Sequence, residues 1–389
     1  MKILVVFVDM IRPNRLSIIN KRISPNTPLD EFLKKLGGTF YKNCFSQGPD
    51  TPRGLATFAT GKIPNKNGCN TRTKWPRDFL NKDLKTVYDL FVEKNYKMTF
   101  FSNPNERECG MFPEHITNMD IHNNNYDLDK YLKAVELKKN HFMFISLPDF
   151  HWSFDDNGYT VYGEKKANKD VVNSLEVIFN NFSKDDFDHI FMFSDHGFKF
   201  IHELKIQPKY MILNEDRTNI LMLHRKKGDP INIKINEKLC AITDIFYTLD
   251  EIINKKKSDE SLFSEKEKTH IIIEDHLTFE TSVNQSIEIW AIAMAENIYV
   301  RVMETGYLID RNNNIKFGVI DEFDNILKKE SSFKKFDYEF KKVFKYNELI
   351  LKQTKFMYGG QRKKISKILN MYNIIRDIIK EKKSDKDIH

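Results

Sequence analysis

The stretch Lys2-Ile3-Leu4-Val5-Val6-Phe7-Val8-Asp9 runs through six consecutive apolar residues and stops on a carboxylate. A strand with one wet face alternates apolar and polar residues. An unbroken apolar run of this length reads instead as a strand covered on both faces. Met98–Phe101, Phe142–Leu147 and Ile190–Phe193 read the same way. Between these runs lie segments of helical period: 29–36, closed by Gly37, then 84–93, 128–137 and 171–182. Buried strands alternating with helices predict an α/β fold, a mostly parallel central sheet with helices on both faces.

Later parts of the chain change character. Residues 255–268 are highly charged and read as a surface loop or linker. Segments 269–279 and 287–318 are strand-rich, with Asn312-Asn313-Asn314 as a turn signal, and from Glu322 the sequence is Lys-rich with helical period. The expected division is a main α/β domain over 1–250, a smaller strand-rich subdomain over 251–320, and a basic helical C-terminal region over 321–389.

With 389 residues, 40% of them hydrophobic, the chain can bury a large core, and 13% aromatic content excludes disorder as its main state. No run of about 18 apolar residues occurs, so no spanning helix is expected. The N-terminal run ends in Asp9 with no small-residue cleavage site behind it and reads as a strand rather than a signal peptide. Cys44, Cys69, Cys109 and Cys240 lack CxxC spacing, which argues against a zinc knuckle or a disulfide framework and for reduced thiols in a cytoplasmic protein. A net charge of +7 permits an anionic partner without requiring nucleic acid.

Three carboxylates share one placement. Asp9 follows the first apolar run, Asp149 follows the third after one Pro, and Asp195 follows the fourth after one Ser. In an open parallel sheet, residues just past the carboxyl ends of strands converge on one crevice. His151 lies two residues past Asp149 and His196 directly follows Asp195. Asp and His together suit Zn²⁺ or Mn²⁺, one ion or two, and clustered acids need a cation to offset their repulsion. Any one strand-end Asp is more readily explained as a helix or turn cap. Three of them with two histidines favour the metal.

The segment Thr51-Pro52-Arg53-Gly54-Leu55-Ala56-Thr57-Phe58-Ala59-Thr60-Gly61-Lys62-Ile63-Pro64 reads as a short helix. Thr51 serves as N-cap, Pro52 takes the first position, and Gly61 closes it. The helix N-terminus favours an anion, either a substrate phosphate or the alkoxide of Thr51. From Thr51 to Arg77 there is no Asp or Glu, while Arg53, Lys62, Lys66, Arg72, Lys74 and Arg77 supply cations. Of these, Arg53 and Lys62 are the candidates to hold a phosphate or sulfate. Capping alone stays open as the role of Thr51.

These ordered motifs resemble the alkaline phosphatase and sulfatase superfamily: the strand ending in Asp9, the Thr51 segment with Ala59-Thr60-Gly61-Lys62-Ile63-Pro64, Asp149 with His151, and Ser194-Asp195-His196-Gly197. Weaker echoes follow at 214–220 and 242–249, so the resemblance covers roughly residues 1 to 310. Counting back nine positions from Thr60, it makes Thr51 the nucleophile. Threonine cannot become the formylglycine of type I sulfatases. Met10 and Leu55 stand where sulfatases tend to carry a second Asp and an Arg. The departures point to the threonine-using branch, similar to phosphodiesterases, phosphonate hydrolases and phosphotransferases.

The resemblance implies one metal held by Asp9, Thr51, Asp195 and His196. A second metal would use Asp149, His151 and a later histidine, with His202 the nearest candidate and His224 and His276 as fallbacks. It implies in-line attack by Thr51 on phosphorus, with Arg53 or Lys62 on the equatorial oxygens and His151 assisting the second transfer. The expected substrate is a small anionic phosphoester, nucleotide- or glycan-linked. Two other readings stay open: a sulfatase-like hydrolase without formylglycine, and a non-catalytic anion-binding protein whose basic C-terminal helices dock nucleic acid or a membrane surface.

Overall fold

The structure, a computed structural model, describes residues 1–21, 26–69, 80–81, 83–102, 119–123, 127–198, 213, 215–278, 286–302, 305–310 and 315–329. Eight strands make the main sheet: β1 (Lys2–Val8), β2 (Gly38–Phe45), β3 (Lys97–Ser102), β4 (Met119–Asn123), β5 (His141–Leu147), β6 (His189–Phe193), β7 (Met222–Lys226) and β8 (Ile233–Ala241). Their order is β4-β3-β5-β1-β6-β7-β2-β8. All neighbours are parallel except β7, which runs antiparallel to both β6 and β2.

Strand β1 lies at the centre, with Ile3 opposite Phe142 on one side and His189 on the other. Side chains alternate between faces along a strand. Leu4, Val6 and Val8 therefore join one core cluster and Ile3, Val5 and Phe7 the other, every one of them fully buried. The first cluster is covered by helices Pro28–Leu36 and Val161–Asn181, through Leu29, Leu33, Val171, Leu175 and Ile178. Helices Thr51–Thr60, Val87–Glu93 and Thr243–Asn254 cover the second through Leu55, Phe58, Phe91, Ile245 and Leu249. Two apolar faces on one strand explain why its sequence does not alternate.

The helices differ from the sequence expectation mainly at their starts. Thr86 caps its helix reciprocally with Asp89, so that helix begins at Val87 rather than at 84. The long helix begins at Val161, ten residues before the expected 171, behind the cap Thr160. Val161 and Tyr162 are exposed, so its first turn has no apolar stripe to announce it. Strands β2, β4, β7 and β8 are not among the runs that the sequence pattern announces. Strand β8 is an edge whose Lys234, Lys238 and Glu237 make it polar in sequence, a common protection for an edge.

A second sheet is an antiparallel meander of β9 (Ile271–Thr278), β10 (Ser286–Ala293), β11 (Asn297–Val302), β12 (Thr305–Asp310) and β13 (Ile315–Phe317). Helix Asp321–Lys329 packs against it through Leu327, in a cluster with Trp290 and Tyr299. Edge strand β9 docks on the main domain, and its Glu274 amide donates to the Gln47 carbonyl at 3.0 Å. The helix Thr243–Asn254 crosses position 250 and packs on the main sheet. The basic region beyond 329 lies outside the described residues. Among the described residues, no helix is long and apolar enough to cross a membrane. Cys44, Cys69 and Cys240 are buried free thiols, and Cys109 lies outside the described residues.

Candidate metal centre

Three strand ends meet at the carboxyl edge of the main sheet. Asp9 directly follows β1, and its amide donates to the Leu147 carbonyl at the end of β5. Met10 then takes φ of 68°, an uncommon left-handed conformation for a residue with a side chain. Its amide donates to Asp195 Oδ1 at 3.2 Å, and the same oxygen accepts from the His196 amide at 2.9 Å. Asp9 Oδ1 and Asp195 Oδ2 are buried and accept no hydrogen bond among the described residues.

His196 faces these two oxygens, with Nε2 3.6 Å from Asp9 Oδ1 and 3.5 Å from Asp195 Oδ2. Its Nδ1 is 2.8 Å from the Gly197 carbonyl, which can only accept. The proton is thereby assigned to Nδ1 and the lone pair to Nε2. One donor atom from each of Asp9, Asp195 and His196 lies within 4.8 Å of the others. Buried carboxylate oxygens without partners cost free energy unless something neutralises them. Two such oxygens beside an imidazole lone pair fit a divalent cation of the Zn²⁺ or Mn²⁺ kind.

His151 completes the cluster from helix Asp149–Asn157, with Nδ1 2.9 Å from Asp9 Oδ2. Burial pushes the Asp9 carboxyl up, but the His151 ring outweighs it and holds the group below the usual carboxylate range. For His151, burial works against the charged ring, yet the charge of Asp9 raises its pKa to about 9. Burial and then the neighbouring Asp9 charge drive Asp195 well up, with the nearby Thr51 side chain and the Met10 amide opposing. Burial lowers His196 to about 4, which keeps Nε2 free to ligate.

Thr51 opens the helix Thr51–Thr60 beside Asp195, but it is not the cap. The N-cap is Asp50, whose side chain accepts from the Arg53 amide at 3.1 Å, while Gly61 ends the helix at φ of 63°. The helix comes this close because residue 54 is glycine. A Cβ there would stand 2.8 Å from Asp195 Cβ.

Several expected site residues are elsewhere. Arg53, expected on the substrate, is only 1% exposed, and its guanidinium is taken by Asp50, Asp275 and the Glu274 carbonyl. Lys62 follows the far end of a helix about 15 Å long, where it meets Tyr247, and so does not reach a group on Thr51. Asp149 turns to the Ser174 hydroxyl at 2.8 Å and stays out of the donor set. His151 pairs with Asp9, so among the described residues Asp149 and His151 of the expected second-metal set take different partners. His224 is stacked with His189 at a Nε2–Nδ1 distance of 3.0 Å, near the amino end of β6. His202 and the side chain of His276 lie outside the described residues.

Residues the sequence reading passed over frame the site. Arg12 pairs with Asp216, which also accepts from Asn14 at 2.9 Å. Arg217 pairs with Asp275 and donates to the Pro49 carbonyl, and its own carbonyl accepts from Gly197. The weak echo at 214–220 was the available signal for Asp216 and Arg217. Asp275 carried none.

No family model matches the chain, and no curated protein matches it. Solved structures do. A candidate sulfatase from Bacteroides thetaiotaomicron superposes with a TM-score of 0.62 at 13% identity, covering 100% of this chain and 94% of its own. The phosphonate monoester hydrolase of Agrobacterium radiobacter gives 0.57 at 12%, covering 79% and 89%. A Vibrio parahaemolyticus protein of the alkaline phosphatase superfamily gives 0.56 at 14%, covering 82% of each chain. The chain thus carries the fold of the alkaline phosphatase superfamily, the one those sulfatases and phosphonate hydrolases are built on.

Proposed function

We propose that this chain is a metal-dependent hydrolase or phosphotransferase of small phosphorus esters, with Thr51 as its covalent nucleophile. The observation that carries this reading is the pair of oxygens on Asp9 and Asp195 that have no hydrogen-bond partner among the described residues, beside His196 Nε2 and the helix that Thr51 opens. Asp9, Asp195, His196 and Thr51 would hold the ion. When bound, a divalent cation there lowers the pKa of the hydroxyl and offsets charge on the transferred group.

Thr51 Oγ1, its proton released to water, would bond to phosphorus as the ester oxygen on the opposite side leaves. The amide groups of the helix start favour the anion at that place. His151, half-buried and charged through its contact with Asp9, would give the leaving oxygen a proton and later take one from water or an acceptor hydroxyl. The phospho-Thr51 ester breaks in that second step. The nature of the acceptor decides between hydrolase and transferase. A nucleotide- or glycan-linked ester is the proposed substrate class.

Sulfatases among the structural neighbours favour a second reading, sulfate-ester hydrolysis, which Thr51 would perform by direct displacement at sulfur. The test is turnover of a phosphomonoester, a phosphodiester, a phosphonate monoester and a sulfate ester by protein reloaded with Mn²⁺ or Zn²⁺. Phosphorus-ester turnover should disappear with chelator and in Thr51→Ala. Undiminished turnover in Thr51→Ala removes that residue from the mechanism, and turnover of the sulfate ester alone selects the second reading.

A further inference from the structure

Asp50, Arg53, Arg217 and Asp275 form a buried chain of alternating charge, each side chain at most 6% exposed. Arg53 Nε donates to Asp50 Oδ2 at 2.7 Å, and its Nη2 donates to Asp275 Oδ1. Arg217 Nη1 donates to Asp275 Oδ2 at 2.7 Å. Each oxygen of Asp275 therefore takes a different guanidinium. Through Arg53 it grips the helix two residues past Thr51. Through Arg217, whose carbonyl accepts from the Gly197 amide at 2.8 Å, it grips the residue next to His196.

Asp275 belongs to β9, the edge of the small sheet, and that edge is built into the main domain. The Glu274 carbonyl accepts from Arg53 Nη1 at 3.3 Å, and the Glu274 carboxylate accepts from the Asn65 amide at 3.1 Å. Burying four charges costs several kcal/mol before their attraction offsets it, so such a quartet is weak evidence for stability. What it supplies here is geometry. One carboxylate is bound to both the Thr51 helix and the His196 turn, two segments far apart in sequence.

We propose that Asp275 is a positioning residue that fixes the spacing between Thr51 and His196, so that the small sheet completes the metal centre. This rests on the donor set and nucleophile proposed above. The test uses the full-length protein and three readouts: thermal midpoint, Mn²⁺ affinity by titration calorimetry, and kcat and KM on an activated phosphodiester. Asp275→Asn alone leaves a buried cation uncompensated. The charge-balanced variant Asp275→Asn with Arg217→Gln keeps the Arg53–Asp50 pair and isolates geometry from charge.

In the balanced variant, Mn²⁺ affinity and kcat should each fall about 10- to 100-fold, the usual effect of removing a residue that orients ligands. KM should move by less than about threefold. A folded variant within about twofold of the parent in both Mn²⁺ affinity and kcat overturns the proposal. Asp275→Glu keeps every charge and displaces the carboxylate by one methylene; if the balanced variant does not fold, unchanged Mn²⁺ affinity in Asp275→Glu overturns it equally. Should Thr51→Ala retain full turnover, the catalytic reading fails by itself, and the Mn²⁺ affinities still decide the role of Asp275.

Discussion

His151 Nδ1 stands 2.9 Å from one oxygen of Asp9, and the other oxygen of that carboxylate has no hydrogen-bond partner among the described residues. The pairing divides the work of a single side chain. Oδ2 is held by the ring, which fixes the carboxylate plane, and Oδ1 is free for a cation beside Asp195 Oδ2 and His196 Nε2. Orientation of a ligand by a hydrogen-bonded neighbour is how outer residues tune metal sites.

That contact gives a pH signature in metal-free protein. The folded pKa of His151, about 9, lies above its ordinary value of 6.5. A raised pKa contributes stability that is fully present below the unfolded value and is lost as pH rises through the folded one. In chelator, the urea midpoint of the parent should fall from about pH 6 to about pH 9.5, and His151→Gln should lose most of that slope. Parallel slopes in the two proteins would dissociate the ring from Asp9.

Gly54→Ala tests how closely the Thr51 helix must approach. Alanine favours a helix over glycine by about 1 kcal/mol. Here its methyl would meet Asp195 Cβ at 2.8 Å, with the Asp195 backbone close behind, so neither side can yield cheaply. The clash should outweigh the propensity, giving a net loss of about 1–2 kcal/mol by chemical denaturation together with weaker Mn²⁺ binding. A stabilised variant with unchanged Mn²⁺ affinity would show that the helix has room to withdraw.

Much of this was legible in the chain because it depends on strand ends. Asp9, Asp195 and His196 follow apolar runs by at most three residues, and the parallel sheet brings those ends together. Arg53 and Asp149 were misread for one reason: sequence reports that a charge exists near a site but not which neighbour claims it. Arg53 is claimed by Asp275, 222 residues away, and Asp149 by Ser174. Strand β8, polar because it is an edge, and the first turns of the long helix carry no apolar period, and so gave no signal.

Metal binding should release a proton. Burial and the Asp9 charge raise Asp195 well above the carboxylate range, so in metal-free protein one of the two carboxyls retains its proton at pH values where an exposed Asp is ionised. A cation favours the doubly ionised pair and displaces that proton. Mn²⁺ affinity should therefore rise with pH, and its calorimetric enthalpy should vary with the ionisation enthalpy of the buffer. Asp195→Asn should abolish both dependences along with most of the affinity. A buffer-independent enthalpy in the parent would mean that both carboxyls are already ionised without metal.

The histidine pair at the amino end of β6 and its partner strand β7 makes the opposite prediction. His189 Nδ1 and His224 Nε2 are 3.0 Å apart, so one ring must donate and the other accept, and protonating the acceptor sets two donors against each other. Burial lowers His189 to about 4 and His224 to about 3, against 6.5 ordinarily. A lowered histidine pKa means that the unfolded chain binds more protons. Stability is then present above the unfolded value and lost as pH falls from 6.5 towards 4. Between about pH 7 and pH 4.5 the parent should lose on the order of 2 kcal/mol that His224→Gln, which keeps a hydrogen-bonding partner for His189, does not lose. Because these rings sit across the sheet from the metal-binding edge, the variant should keep Mn²⁺ affinity unchanged, and a coincident loss of metal binding would contradict their separation.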